Sequence, residues 1–385
     1  MKYLTNSNRC AAMKTQKLRT GLLVALLAYT TVFSNAGPTI LAQTPANSGL
    51  PVASLNNPSA VAFNSATGKV YTVDTDAGAV DISDDVAGST IRVKVGAGPV
   101  SIAADSSNGR TYVANAGDGT VSVIDGKTDN VLATMPIGSN PYSIAADSEA
   151  GKIYVSRTYS DQLTVVDAAT NEVSGIKAGS PDLIAVNPKT HLAYLLGYEG
   201  GDLAILDGAT HSITKTSAGM HAWGMALNTQ TGALYIARIG NAEVAVLEPG
   251  VTTFKKIPTG LIPCSVAVNS RTNMVYIVNY GDNTVTVIDG AKSSVAATLP
   301  VGKRPQAVAV DPDRNLIYVA NTQANTVTVI DGATNRVVTT LDAGKAPYAL
   351  AVNPVSGKVH VANFDTQSFT ILDTSNLRKL NGSQK

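Results

Sequence analysis

Residues 305–346 read PQAVAVDPDRNLIYVANTQANTVTVIDGATNRVVTTLDAGKA. Apolar and polar residues alternate through four short runs, QAVAV, LIYVAN, TVTVID and RVVTTL. Period-two alternation in β-branched and aromatic residues is the pattern of a half-buried strand. The runs are separated by Asp311-Pro312-Asp313, Thr322-Gln323-Ala324-Asn325 and Asp331-Gly332. Asp and Asn tolerate turn conformations, and Gly reaches positive φ at no steric cost. The stretch therefore predicts four antiparallel strands, a to d in chain order. A sheet this small leaves an apolar face open and has to stack on neighbours.

The unit recurs eight times, starting its first apolar run at Val61, Ile102, Ile144, Ile184, Met225, Val266, Val308 and Leu350, with a spacing of 40 to 42 residues. Seven copies place a proline three residues earlier: Pro58, Pro99, Pro141, Pro181, Pro263, Pro305 and Pro347. The fifth has Ala222 instead. Four strands at a period near 40 are propeller blades. Leucine-rich repeats are shorter, HEAT and armadillo repeats need helical spacing, and one tryptophan cannot supply eight Trp-Asp signatures. The fold class is all-β: a β-propeller of four-stranded blades, eight in number, with seven plus a divergent flank as the alternative.

Tyr-Val-Ala-Asn at 112–115 and 318–321, Asn-Thr-Val-Thr-Val-Ile-Asp-Gly at 283–290 and 325–332, and Leu-Pro-Val-Gly at 299–302 resemble the YVTN-type β-propeller repeat family, which includes YncE-like periplasmic proteins. The resemblance covers about residues 50–373. It implies the propeller scaffold. It implies little about activity, because scaffold residues define the family.

Residues 1–42 hold five Lys/Arg and no Asp/Glu. Lys14, Lys17 and Arg19 precede an apolar run from Gly21 to Phe33, and Ser34-Asn35-Ala36 or Ile40-Leu41-Ala42 offers a cleavage site. This is the pattern of a secretory signal peptide, with Met13 an alternative start. Thirteen apolar residues are too few for a membrane anchor across about 30 Å of hydrocarbon. Location in the periplasm or outside the cell follows as an expectation. Loss of 1–42 leaves 24 Lys/Arg against 28 Asp/Glu, a formal charge of −4. Such a balance disfavours a nucleic-acid partner, whose phosphates call for a strongly basic surface. Cys264 is then the sole cysteine, so no internal disulfide forms, and it reads as a small buried residue or as a reactive thiol.

Residues 43–49 read as a flexible leader, 50–376 as one propeller domain and 377–385 as a polar tail. The eighth unit carries strands a, b and c only, whereas Leu50 to Asn57 resembles a strand d with its d–a loop. Pairing of this N-terminal strand with the last blade would close the ring. A strand from Leu377 to Leu380 is the alternative.

Recurring residues read as scaffold. An acid closes strand c in every copy (Asp84, Asp125, Asp167, Asp207, Glu248, Asp289, Asp331, Asp373), as a turn cap does. Tyrosine holds the middle of strand b in seven copies, and His360 replaces it in the eighth. A side chain repeated at one register marks packing between sheets, with the hydroxyl finding a partner. His360 is expected to be packed rather than to bind a ligand. His191 and His211 read as surface residues.

Function is expected where the copies differ. The residue after the blade proline varies (Ser59, Val100, Tyr142, Asp182, Trp223, Cys264, Gln306, Tyr348), and so does the one before it (including His221, Ile262 and Arg304). Both registers belong at the channel mouth. The end of strand b is Asn in four copies but Arg157 and Arg238 in two, either solvated surface arginines or mouth residues. The candidate ligand-binding set is Tyr142, Arg157, Asp182, His221, Trp223, Arg238, Arg304, Gln306 and Tyr348. Aromatics, a carboxylate, an imidazole and guanidinia around a concavity suit a small molecule or a peptide. No nucleophile elbow, H-E-x-x-H, C-x-x-C or P-loop occurs, and no register groups the four histidines as metal ligands. No catalytic residue, metal or cofactor is assigned. The leading expectation is a non-enzymatic exported scaffold binding a small molecule, peptide or protein. A lyase- or lactonase-like propeller enzyme and a cell-envelope or surface structural protein are the alternatives.

Overall fold

A computed structural model describes residues 51–54, 58–179, 181–198 and 200–377. The expected signal peptide, leader and tail beyond 377 lie outside them. Eight four-stranded antiparallel sheets follow one another, starting at Pro58–Asn64, Pro99–Ala104, Pro141–Asp147, Leu183–Asn187, Ala222–Leu227, Pro263–Asn269, Pro305–Asp311 and Pro347–Asn353. These are blades 1 to 8. Their first strands stand side by side in a closed circle, the eighth against the first. The count is eight, and the seven-blade alternative falls. The fourth strand of blade 8 is Pro51–Ser54, which pairs with Ser368–Asp373, so the N-terminal strand closes the ring as expected. Leu377 instead packs on the core between blades 7 and 8.

The core is divided among the blade interfaces. Eight apolar clusters occur among the described residues; seven join two adjacent blades, and the one between blades 6 and 7 also takes in Trp223 of blade 5. The strand-b tyrosines are buried in them. Their rings abut the turn between strands c and d of the next blade. A Cβ on Gly208 would come 2.5 Å from the Tyr154 hydroxyl, and one on Gly290 would come 2.8 Å from that of Tyr235. That turn position is therefore small. Not every tyrosine hydroxyl finds a partner as expected. Tyr318 meets Thr374 Oγ1 at 2.7 Å, but the buried Tyr276 hydroxyl has no hydrogen bond, and burial pushes its pKa up.

On the face opposite the mouth, polar side chains link the blades. The Asn or Asp ending strand a caps its own turn in all eight blades: Asn64, Asp105, Asp147, Asn187, Asn228, Asn269, Asp311 and Asn353 each accept backbone N–H groups. Several also reach the next blade. Asn64 Nδ2 donates to Gly109 O at 3.0 Å, Asn228 to Asn273 Oδ1 at 2.7 Å and Asn269 to Asn315 Oδ1 at 2.7 Å. His191 Nδ1 lies 3.0 Å from Asp147 Oδ2, so His191 is an inter-blade link rather than the surface residue expected. The strand-c acids are turn caps: Asp84, Asp125, Asp167, Asp207 and Asp289 each accept two backbone N–H groups through Oδ1.

The seam between blades 8 and 1 differs. Its apolar cluster has six buried members, against nine or more at every other interface, and three of the six are alanines. There His360 replaces tyrosine, and Asp85 stands where the other blades carry small residues or proline. His360 Nε2 lies 3.0 Å from Asp85 Oδ1, both groups being almost fully buried, and the imidazole stacks on Phe369. Asn353 and Ser356 donate to Asp85 Oδ2, each at 2.7 Å. Burial alone would raise the Asp85 pKa, but the His360 hydrogen bond and charge with the two further donors bring it below the usual carboxylate range. A carboxyl whose folded pKa is depressed stabilises the fold above about pH 4 and loses that contribution as pH falls through its lower folded value. Asp85→Asn should therefore cost about 3 kcal/mol at pH 7. The gap from wild type in denaturant unfolding should close as the pH is lowered towards 2. A gap that stays constant with pH would show that the seam does not depend on an ionised Asp85.

Candidate functional site

The loops joining strands b and c lie on one face with those joining strand d of one blade to strand a of the next. Backbone hydrogen bonds tie the two sets together: Ala116 N–H to Gly98 O, Ile239 N–H to His221 O, Tyr280 N–H to Ile262 O, Thr322 N–H to Arg304 O and Phe364 N–H to Ala346 O. The residue before the blade proline is left-handed at Gly98, Asn140, Ile262, Arg304 and Ala346, as is His221 before Ala222, with φ between 53° and 61°. Side chains hold this geometry too: Asn283 Oδ1 accepts the Arg304 N–H at 2.8 Å, and Asn325 Oδ1 accepts that of Ala346 at 2.9 Å. His221 and Arg304 thus project from a fixed backbone.

At the start of strand a the register shifts in seven blades, after six of the prolines and after Ala222, for example between Pro141 and Ile144, Ala222 and Gly224, and Pro305 and Ala307; the blade preceded by Pro181 has no shift. Such a shift is a bulge, which re-aims the side chain that follows, and Ala222 shows that it forms without proline. The re-aimed residues are less open than expected. Ser59, Val100, Tyr142, Trp223 and Cys264 are buried, and Asp182, Gln306 and Tyr348 are half-buried. The buried setting of Cys264, among Trp223, Tyr276 and Val278, is the bland reading of the two.

Tyr198 joins several of the singled-out residues. Its ring stands edge-on to Trp223 at 5.3 Å between centroids and to His221 at 6.4 Å. Its backbone N–H donates to Asp182 Oδ2 at 2.7 Å. The Tyr142 hydroxyl is held well above its usual pKa, first by burial and then by the charges of Asp182 and Tyr198. Two blades on, the Arg304 guanidinium lies over the Tyr280 ring at 4.7 Å, a cation–π contact. Tyr198 and Tyr280 were missed in the sequence, as was Phe364. All three stand one residue past the end of strand b, a register that also varies but was not followed. Gln306 and Tyr348 lie apart from this group: Thr322 Oγ1 reaches Gln306 Oε1 at 3.4 Å, and Tyr348 packs on the core between blades 8 and 1.

The end of strand b is a structural register. Asn115, Asn279 and Asn321 each donate through Nδ2 to the hydroxyls five and seven residues on, at 2.9 to 3.1 Å, and Asn363 donates to Thr370 at 2.8 Å. Arg238 follows the same rule with a different chemistry, because the residue five positions on is Glu243 and the two form a part-buried ion pair. Arg238 is therefore a strand clamp rather than a solvated arginine. Arg157 occupies the same register in blade 3.

Asp182, the one acid of the candidate set, is thus engaged by the Tyr198 amide. No group of three His, Cys, Asp or Glu able to hold a metal ion occurs among the described residues. Nor is any helix there long and apolar enough to cross a membrane.

Residues 242–371 match the family model described as YNCE-like beta-propeller, in keeping with the resemblance seen in the repeats. Similar solved structures include Kuenenia stuttgartiensis hydrazine synthase, 15% identical, with 86% of this chain and 99% of that one covered at a TM-score of 0.58. Dihydro-heme d1 dehydrogenase NirN in complex with DHE is likewise 15% identical, with 89% of this chain and 76% of that one covered at a TM-score of 0.68. Both likenesses are of fold. No curated protein matches the sequence.

Ile262 is the strained member of the mouth, a β-branched residue held at φ 55°. Left-handed backbone costs such a residue about 1–2 kcal/mol, and asparagine tolerates it. Ile262→Asn should raise stability by about 1 kcal/mol in thermal unfolding. A fall would mean that the side chain's packing outweighs the strain.

Proposed function

We propose that this chain is an exported, non-enzymatic binding scaffold. Its ligand, a small molecule or a short segment of a partner, sits at the mouth on Tyr198, His221, Trp223 and Arg304. One observation carries this reading. The repeated side chains are used in building the blades and packing them together: the tyrosines lie between blades, and the turn-capping acids and Asn clamps hold turns and hairpins within them. The departures from the repeat instead gather around Tyr198, between Asp182, His221 and Trp223. Aromatic rings flanked by a few polar groups on a rigid frame are the usual composition of a ligand site.

Export follows from the basic, then apolar, then small-residue order of residues 1–42. Expression of the full chain in a host with a secretory pathway should yield a mature form beginning shortly after Ala36 or Ala42. Retention of an intact N-terminus in the cytoplasm would contradict export.

The chain has one tryptophan, so its emission reports on the mouth alone. Screening small molecules and peptides against Trp223 fluorescence should give a saturable change for the ligand. Tyr198→Ala should weaken that binding at least tenfold while leaving the unfolding midpoint within a few degrees. A ligand found by calorimetry whose affinity is the same for Tyr198→Ala and wild type would place the site elsewhere.

A further inference from the structure

Arg157 is the exception to the strand-b register. Asparagine there satisfies two hydroxyls, Asp74 pairs with Arg92 at 3.2 Å, Arg238 pairs with Glu243, and Gly197 has no side chain. In blade 3 the residues five and seven positions on are Gln162 and Thr164, and neither accepts a hydrogen bond from Arg157. Its Nε, like that of Arg238, is shut off from solvent with no acceptor among the described residues; what sets Arg157 apart is that its guanidinium has no ion pair there, while the residue as a whole is only half-buried. The guanidinium lies against Gly138 in the preceding d–a loop, where a Cβ would collide with Nη1. Gly219 leaves the same room for Arg238. Asp161, in the same b–c loop, pairs with Lys177 at 3.3 Å. Two residues beyond Arg157 in the same turn stands Tyr159, 85% exposed and held at φ 63°.

A partly desolvated guanidinium lacking a carboxylate is costly unless an anion completes it. The planar fork of arginine matches a carboxylate or phosphate through two parallel hydrogen bonds. We propose that Arg157 is an oxyanion-recognition residue of the mouth. It would bind a carboxylate or phosphate group of the ligand, with the exposed Tyr159 ring beside it for the ligand's body. This inference rests on the mouth as binding face and adds the chemical class of what binds there. It also separates the two arginines singled out in the sequence: Arg238 has its counter-ion within the blade, and Arg157 takes its own from the ligand.

The test is a titration of the mature protein with inorganic phosphate and, separately, with benzoate. It is followed by the ¹⁵N–¹H resonance of the Arg157 Nε and by calorimetry. At least one probe should shift that resonance saturably, and the better one assigns the group as phosphate or carboxylate. Arg157→Gln should weaken that probe at least tenfold, Arg157→Lys should fall between, and Arg238→Gln should leave its affinity unchanged. The proposal is overturned if neither probe moves the Arg157 resonance, or if Arg157→Gln binds as wild type does. Tyr198→Ala keeps this result distinct from the mouth reading. A mouth ligand lost with Tyr198→Ala but retained with Arg157→Gln would sink the oxyanion role and leave the mouth standing.

Discussion

A four-stranded blade cannot bury both of its faces, and the contact between neighbouring blades answers that constraint. Each interface has its own apolar cluster and its strand-b aromatic against the next blade's turn, and several have links from the residue that ends strand a to the next blade's turn. These are nearest-neighbour contacts, so the structure is a chain of interfaces that becomes a ring only when blade 8 meets blade 1. That last interface is the thinnest in apolar terms. The buried Asp85–His360 pair acts there, while the N-terminal strand completes blade 8 from its outer edge. Breaking one partner of a buried pair leaves an uncompensated charge, so the seam is sensitive to single substitutions in a way the tyrosine interfaces are not.

The same economy explains where function gathers. Residues that recur are committed to the ring. The mouth face is where the sequence is released from that commitment, because a left-handed residue and a bulge at the start of strand a set the backbone there, with proline or, in blade 5, without it. The backbone there is rigid while the side chains vary. A rigid frame with variable side chains lowers the ordering cost of binding.

Much of the fold was legible in the sequence. The proline, the Asp/Asn at the end of strand a and the strand-b tyrosine set the blade count and strand order. The absence of a fourth strand after Phe369–Asp373 pointed to closure by the N-terminal strand. These signals are local or periodic. The site was only partly legible. Following the proline registers found Tyr142, Asp182, His221, Trp223 and Arg304, but the depth of Tyr142 and Trp223 depends on how closely the first strands crowd, which no spacing encodes. Tyr198 and Tyr280 escaped because the strand-b register was followed one residue short. The roles of Arg238 and Arg157 separate only when the residue five positions on is known to lie across the hairpin, Glu243 in one case and Gln162 in the other. His191 was misjudged for a related reason: its partner Asp147 belongs to the neighbouring blade, 44 residues away.

The central claim is that binding belongs to the face where the repeat is broken, and the most direct test is amide hydrogen exchange with and without the ligand. Protection is predicted in the b–c and d–a loops of blades 3 to 7, centred on residues 138–142, 197–202, 219–223 and 280–283, with no change in the a–b and c–d turns on the opposite face. Protection confined to those opposite turns, or to the outer strands, would contradict it.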